Sequence, residues 1–194
     1  MTARDVPRPQ RADARANREA LLCAARELLV ERGLGVSFDE IAQRAAVGRA
    51  TLYRHFADRD ALLEALLERL VEQLESRAEK LPDDATGFEK LFRAAVRLQA
   101  DNLPLAELLP PRDALPPGIE ALRHRIEAVY RAPLARAQEA GAVRADLSPG
   151  DVRVLASMLS AVVRPAAREA DRRRALRLVR LVLAPAPGEV VQLR

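Results

Sequence analysis

The sequence predicts an all-α fold, with a three-helix head, a larger helical body and about nine helices in all. Three observations carry this. Regular apolar spacing is helical throughout, and no stretch alternates apolar and polar residues as a strand would. Breaks at Gly33, Leu81-Pro82-Asp83-Asp84, Pro110 to Gly118 and Ser148-Pro149-Gly150 cut the chain into helix-length pieces. Near Ala46 two short pieces meet at a tight turn, in the pattern of a helix-turn-helix.

In chain order, residues 1 to 13 are polar, with Pro7, Pro9 and three arginines, and are expected to form a disordered basic arm. Such an arm either reaches a minor groove or is a solvated tail. Helix 1 is expected from Ala14 to Arg32, with Leu21, Ala25, Leu28 and Leu29 buried and Gly33 as its C-cap. Ser37 with Glu40 three residues on is a capping box, so helix 2 begins at Phe38. Its inward residues are Phe38, Ile41, Ala42 and Ala45. Ala46-Val47-Gly48 is the turn. Arg49 opens helix 3, where Leu52 and Phe56 share one face and Arg49, Ala50, Thr51, Tyr53 and His55 take the others. Residues 14–58 make the head.

Asp58 caps helix 4, a connecting helix over 59–80 with a broad leucine stripe from Leu62 to Leu74. Residues 81–194 form the body. Helix 5 spans Ala85 to Asn102 with Phe88, Leu91, Phe92 and Ala95 inward. A short piece, Leu105 to Leu109, follows Pro104. No helix crosses the proline-dense loop after it. Helix 7 runs from Ile119 to Ala140, with Leu122, Ile126, Val129 and Tyr130 inward and a kink at Pro133. Ser148 caps helix 8, which carries Val152, Leu155, Met158, Leu159 and Val162. Helix 9 spans Ala170 to Leu183, with Leu176, Val179 and Leu183 on one face.

Helix 3, the second of the helix-turn-helix, has the size and chemistry to enter a DNA major groove. Arg49 can fork to guanine O6 and N7, and Ala50 or the Thr51 methyl can touch a thymine methyl. Tyr53 and His55 suit phosphates, which fix register; their alternative is packing around the turn. Arg59, at the start of helix 4, can hold another phosphate.

The run Ile41-Ala42, Val47 and Thr51-Leu52-Tyr53-Arg54-His55-Phe56 resembles the DNA-binding domain of the tetracycline-repressor (TetR/AcrR) family of bacterial transcription regulators. The segment from Cys23 to Gly33 is similar to that family's first helix. Arg136 to Pro149 is similar to a segment found in one branch. The resemblance implies DNA contacts from Arg18, Ser37, Gly48, Arg49, Ala50, Thr51, Tyr53, His55 and Arg59. Two positions depart from the pattern. Ala46 stands where glycine is usual, and a left-handed alanine there costs on the order of 1 kcal/mol. Gly48 stands where serine is frequent, and glycine is an acceptable cap.

Composition sets limits. The 194 residues are 49% hydrophobic but only 3% aromatic, so Leu, Ala and Val must fill the core. A net charge of +4 and a pI near 9.9 suit an anionic partner. The basic residues are nearly all arginine, which equally follows from genome base composition. Cys23 is the single cysteine, expected as a small core residue, and it excludes an internal disulfide. The first residues hold no apolar stretch and no run is long enough to span a membrane, so no signal peptide and a cytoplasmic protein are expected. Phosphate loops, nucleophile elbows and H-E-x-x-H are missing from the sequence. No enzyme, cofactor or metal site is expected.

The expected function is a homodimeric repressor of a palindromic operator on double-stranded DNA, released by a small-molecule effector. The alternatives are a DNA-binding regulator without a ligand and a helical protein-interaction module. The dimer interface is expected on Leu155, Met158, Leu159, Val162, Leu176, Val179 and Leu183. An apolar pocket is expected from Phe88, Phe92, Ile126, Tyr130, Met158 and Val162, with Gln99, Asn102 and the Tyr130 hydroxyl as its polar groups. Gln99 and Asn102 continue an apolar stripe, so they are either buried and functional or exposed at a frayed end. No inward charge is evident in this stretch, which points to an effector of little net charge.

Overall fold

The computed structural model describes residues 8–107, 116–164 and 167–185. These hold nine α-helices and one 3-10 turn, and no strand occurs among the described residues. The helices are α1 (Arg8–Arg32), α2 (Phe38–Arg44), α3 (Arg49–His55), α4 (Arg59–Ala78), α5 (Ala85–Ala100), α6 (Leu103–Ala106), α7 (Pro117–Glu139), α8 (Pro149–Val163) and α9 (Glu169–Leu183), with the 3-10 turn at Gly33–Gly35. The chain divides into two compact units, one through Leu66 and one from Leu67 onward. The division falls inside the expected connecting helix, so α4 contributes to both.

In the first unit, α1 begins at Arg8 rather than Ala14, because Pro9 falls in its first turn, where a missing N–H breaks no helix bond. Part of the expected disordered arm is therefore helical, and residues 1–7 lie outside the described residues. Leu21, Ala25, Leu28 and Leu29 form the buried stripe and pack with Ile41, Leu52, Phe56 and Leu62 in the unit's core. Cys23 corrects an expectation. It lies two residues, about 200°, from Leu21 around the helix, and it is exposed.

Both ends of α2 are closed by local bonds. Ser37 and Glu40 make the expected capping box. At the other end the Val47 N–H donates to the Ala42 carbonyl (3.0 Å) and the Ala46 N–H to that of Gln43 (3.1 Å). This is a Schellman motif, whose C′ residue must be left-handed. Ala46 occupies it at φ 52°. Outside the core, Arg44 ties α2 to Glu31 of α1 at 3.0 Å, and Arg32 reaches Glu40 at 2.7 Å.

In the second unit α5 packs on α7 and α8, and α8 also on α7 and α9. Asp84 caps α5 through the Thr86 N–H. Gly87 is required by space, since a Cβ there would stand 2.5 Å from the Pro82 carbonyl oxygen. Helix α5 ends at Ala100, before Asn102, and α6 is shorter than the expected piece. Leu108, Leu109 and the loop from 110 to 115 lie outside the described residues. Helix α7 starts at Pro117, a residue suited to the first helical position. It continues past the buried Pro133 as one helix. Gly141 (φ 64°) ends it in a second Schellman motif. Ser148 and Asp151 form a capping box for α8. Arg125 of α7 forks onto Glu75 of α4 at 3.0 and 2.7 Å, and the pairing holds the Glu75 carboxyl below its usual range.

Helix α8 corrects a second expectation. Its buried residues are Val152, Arg153, Ala156, Leu159 and Ser160. Met158 (64% exposed) and Val162 (43%) face outward, so neither supplies an inward side chain. Leu159 is buried in the core instead of on an outer face, and Leu155 is half-buried. Helix α9 buries none of its residues, and Leu176, Leu178, Leu181 and Val182 are exposed while Val179 and Leu183 are half-buried.

Candidate nucleic-acid interface

Helix α3 is held from below by Leu52 and Phe56, both buried. That anchoring fixes the opposite face, where Arg49, Ala50, Tyr53 and Arg54 are exposed and Thr51 and His55 half-buried. Gly48 is the N-cap in extended conformation, and it leaves the first N–H groups of α3 without a side-chain acceptor. Such a terminus has donors and a positive dipole end to offer an anion. Ser37, at the other cap, is tied into its own capping box.

The exposed side chains are ordered by one another. Arg49 Nε lies 3.1 Å from Asp39 Oδ1 on α2, and its guanidinium stands over the Tyr53 ring at 5.7 Å. The Tyr53 ring packs tilted against Phe38 at 5.4 Å. Hydrogen bonding to Tyr53 and the charge of Asp39 both raise the Arg49 pKa, so the group is a permanent cation. The exposed pair is screened by water and yields readily to a stronger partner. Arg54 Nη2 donates to Thr51 Oγ1 at 2.8 Å, which turns the Thr51 methyl away from that bond. Arg18 of α1 covers the Phe56 ring at 4.7 Å. Burial, with help from the charges of Arg18 and Arg54, holds the His55 pKa below its ordinary value.

Asp13, Asn17, Thr51, Arg54 and His55 surround an open depression of about 420 Å³ between α1 and α3. Arg54 was missing from the sequence-based set. Its place one turn beyond Thr51 was the available signal. Arg59 is corrected: its Nη1 donates to the Val36 carbonyl at 2.5 Å and its Nη2 to that of Leu34. The guanidinium clamps the 3-10 turn and the residue after it rather than facing a phosphate.

The body holds a mainly apolar inner cavity of about 30 Å³, room for one water. Leu70, Val71, Leu98, Ile126 and Gln99 are among its walls. Of the expected pocket residues, Gln99 and Ile126 line it. Gln99 Oε1 accepts from Ser157 Oγ at 2.9 Å. Phe88, Phe92 and Tyr130 are buried in the surrounding core. Asn102 is buried just past the end of α5, and its Nδ2 donates to the Leu98 carbonyl at 2.7 Å. The Tyr130 hydroxyl is buried with no partner, and burial raises its pKa. The absence of an inward charge is overturned. Arg153 is buried, lines the cavity and pairs with Glu127 at 3.1 Å.

A three-helix head that exposes Arg49, Ala50 and Tyr53 on its anchored third helix defines a helix-turn-helix DNA-binding regulator. Comparison with known proteins gives the family. Residues 21–66 match the model of bacterial regulatory proteins of the tetR family, and residues 83–184 match the C-terminal domain of SbtR-like transcriptional regulators. A TetR transcription regulatory protein from Mycobacterium vanbaalenii is 32% identical, covering 91% of this chain and 99% of its own, with a TM-score of 0.61. A TetR transcriptional regulator from Streptomyces coelicolor is 26% identical over 88% and 99% of the two chains, with a TM-score of 0.57. RolR, solved in complex with resorcinol, is 22% identical over 89% of each chain at a TM-score of 0.54. No curated protein sequence matches. The chain belongs to the TetR family of transcriptional regulators. No helix among the described residues is long and apolar enough to cross a membrane.

Proposed function

We propose that the protein is a homodimeric repressor that binds a palindromic operator and leaves it when a small molecule with an apolar or aromatic body occupies the second unit. The observation that carries the DNA-reading part is the outer face of α3. Arg49 stands at its start, held only by an exposed pair and a ring, free to exchange Asp39 for a guanine edge. Tyr53 and Arg54 beside it, and Arg18 nearby, suit phosphates. Acting on DNA, such a regulator works in the cytoplasm.

The dimer reading rests on α8 and α9. Met158, Val162, Leu176, Leu178, Leu181 and Val182 are large apolar side chains left exposed on these two helices, the kind of surface a partner covers. Two helices from each subunit would close a four-helix interface with two-fold symmetry. Leu159 has no place in it, since its own subunit already buries it. The effector need only bind one spacing of the two heads more tightly than another to shift the population. A second reading, DNA binding without a ligand, draws support from the small inner cavity. Sedimentation at micromolar concentration tests the dimer: Val162→Asp with Leu178→Asp should give monomers that bind duplex DNA weakly. A monomer for the unaltered protein would defeat this part. Release from operator DNA across a panel of apolar and aromatic compounds separates the two readings.

A further inference from the structure

One buried charge of the body stands where an apolar residue would serve the fold. The Arg153 side chain is 7% exposed, and its Nε donates to Glu127 Oε1 of α7. Replacing a buried ion pair by apolar residues of similar volume is often neutral or stabilising. Packing alone therefore gives no reason for an arginine here. Its position does. An open depression of about 340 Å³ lies between α6 and α8, walled by Leu103, Val154 and Met158 among others. It shares Ala106, Arg153 and Ser157 with the small inner cavity. Arg153 thus stands at the junction of two mainly apolar hollows, one small and one larger. Tyr130, one turn beyond Ile126 on α7, adds a fully buried hydroxyl with no partner. Helical side chains lean toward the N-terminus, so this phenol leans toward Ile126 and the cavity wall.

We propose that the effector is an organic acid, with an apolar or aromatic body that enters between α6 and α8 and a carboxylate that seats on Arg153. This deepens the ligand-responsive reading above and rests on it. The guanidinium fork matches a carboxylate in shape and charge. The hollows on either side take the apolar body and exclude water, which strengthens the pairing. Glu127 is the more exposed member of the present pair, at 24%, and has His124 Nδ1 at 4.0 Å on its other side. An incoming acid displaces it toward solvent while the buried guanidinium keeps a counter-charge. That exchange breaks the tie between α7 and α8, so the acid binds one arrangement of the two helices better than the other, as an effector must.

The test uses the full chain with benzoate, phenylacetate and octanoate, each beside its primary amide and primary alcohol. Calorimetry gives affinity, and release from a selected operator fragment gives the response. At least one acid should bind, with its alcohol and amide about 10- to 100-fold weaker, the range expected when a charge-assisted bond is lost. Arg153→Met should bring the acid down to the level of the alcohol, and Arg153→Lys should recover part of the difference. The acid-against-alcohol comparison in the unaltered protein stands even if R153M folds poorly. Equal binding of acid and alcohol overturns the proposal, as does a preference that survives in a folded R153M. If neutral compounds release the operator while the acids do nothing, the effector is neutral and the ligand-responsive reading stands. If no probe binds at millimolar concentration while DNA binding persists, the acid proposal falls and the ligand-free reading gains.

Discussion

Replacing Ala46 by glycine should stabilise the head without altering what it reads. Ala46 is the left-handed residue of the α2 Schellman motif, at φ 52°. A left-handed residue with a Cβ costs roughly 1–2 kcal/mol relative to glycine. The Ala46 side chain is exposed, so losing its methyl forfeits little packing. Glycine gives back about 0.4–1 kcal/mol through the greater freedom of the unfolded chain. The net gain is about 0.5–1 kcal/mol, or roughly 1–4 °C in Tm for a chain of this size. Urea unfolding followed by far-UV circular dichroism measures it as a higher midpoint at unchanged slope. Ala46→Val should move the midpoint the other way, because a β-branched side chain fits a positive φ worse still. A lower midpoint for A46G, or no loss for A46V, would refute the reasoning that strain resides at this turn.

Three other outcomes follow from single observations. Tyr130→Phe removes a buried hydroxyl that has no partner, so it should leave stability unchanged or raise it by about 1 kcal/mol; a clear loss in urea unfolding would mean that the hydroxyl is bonded after all. Gly87→Ala forces a methyl against the Pro82 carbonyl and should cost about 1–3 kcal/mol, read as a lower thermal midpoint. The His55 pKa is depressed in the folded head, chiefly by burial. The neutral ring is thus the folded form. Its contribution is present above the unfolded value of about 6.5 and is lost as pH falls from there through the folded pKa. His55→Gln should flatten the pH dependence of head stability below about 6.5, measured by denaturation at stepped pH.

Much of the fold was legible because local chemistry marks helix ends. Ser37 with Glu40, Ser148, and Gly33 signalled three of them, and each lies where its side chain or backbone required. Leu52 and Phe56, four apart, fixed which face of α3 is hidden and so which residues are presented. Tertiary competition was less legible. Arg59 had two possible partners, a phosphate or a carbonyl, and only the path of the chain after α1 shows Leu34 and Val36 within its reach. Helix α8 misled for a different reason. It is apolar on two faces, and a periodic pattern cannot say which faces inward. The face with Val152, Arg153, Ala156, Leu159 and Ser160 turned in, while Met158 and Val162 stayed outside. Burial of Arg153 depends on Glu127, 26 residues away on another helix, a pairing that no local spacing announces.

The most direct measurement is selection of bound fragments from random duplex DNA, carried out with the unaltered protein and with Arg49→Ala. The unaltered protein should enrich an inverted repeat whose half-site centres lie about 34–36 Å apart, or a multiple of that. Its binding should weaken steeply with added salt. R49A should lose preference at one base pair of each half-site while still binding DNA. Enrichment of no sequence, or the same sequence selected with the same preference by both proteins, would contradict the reading of α3 as the element that recognises the operator.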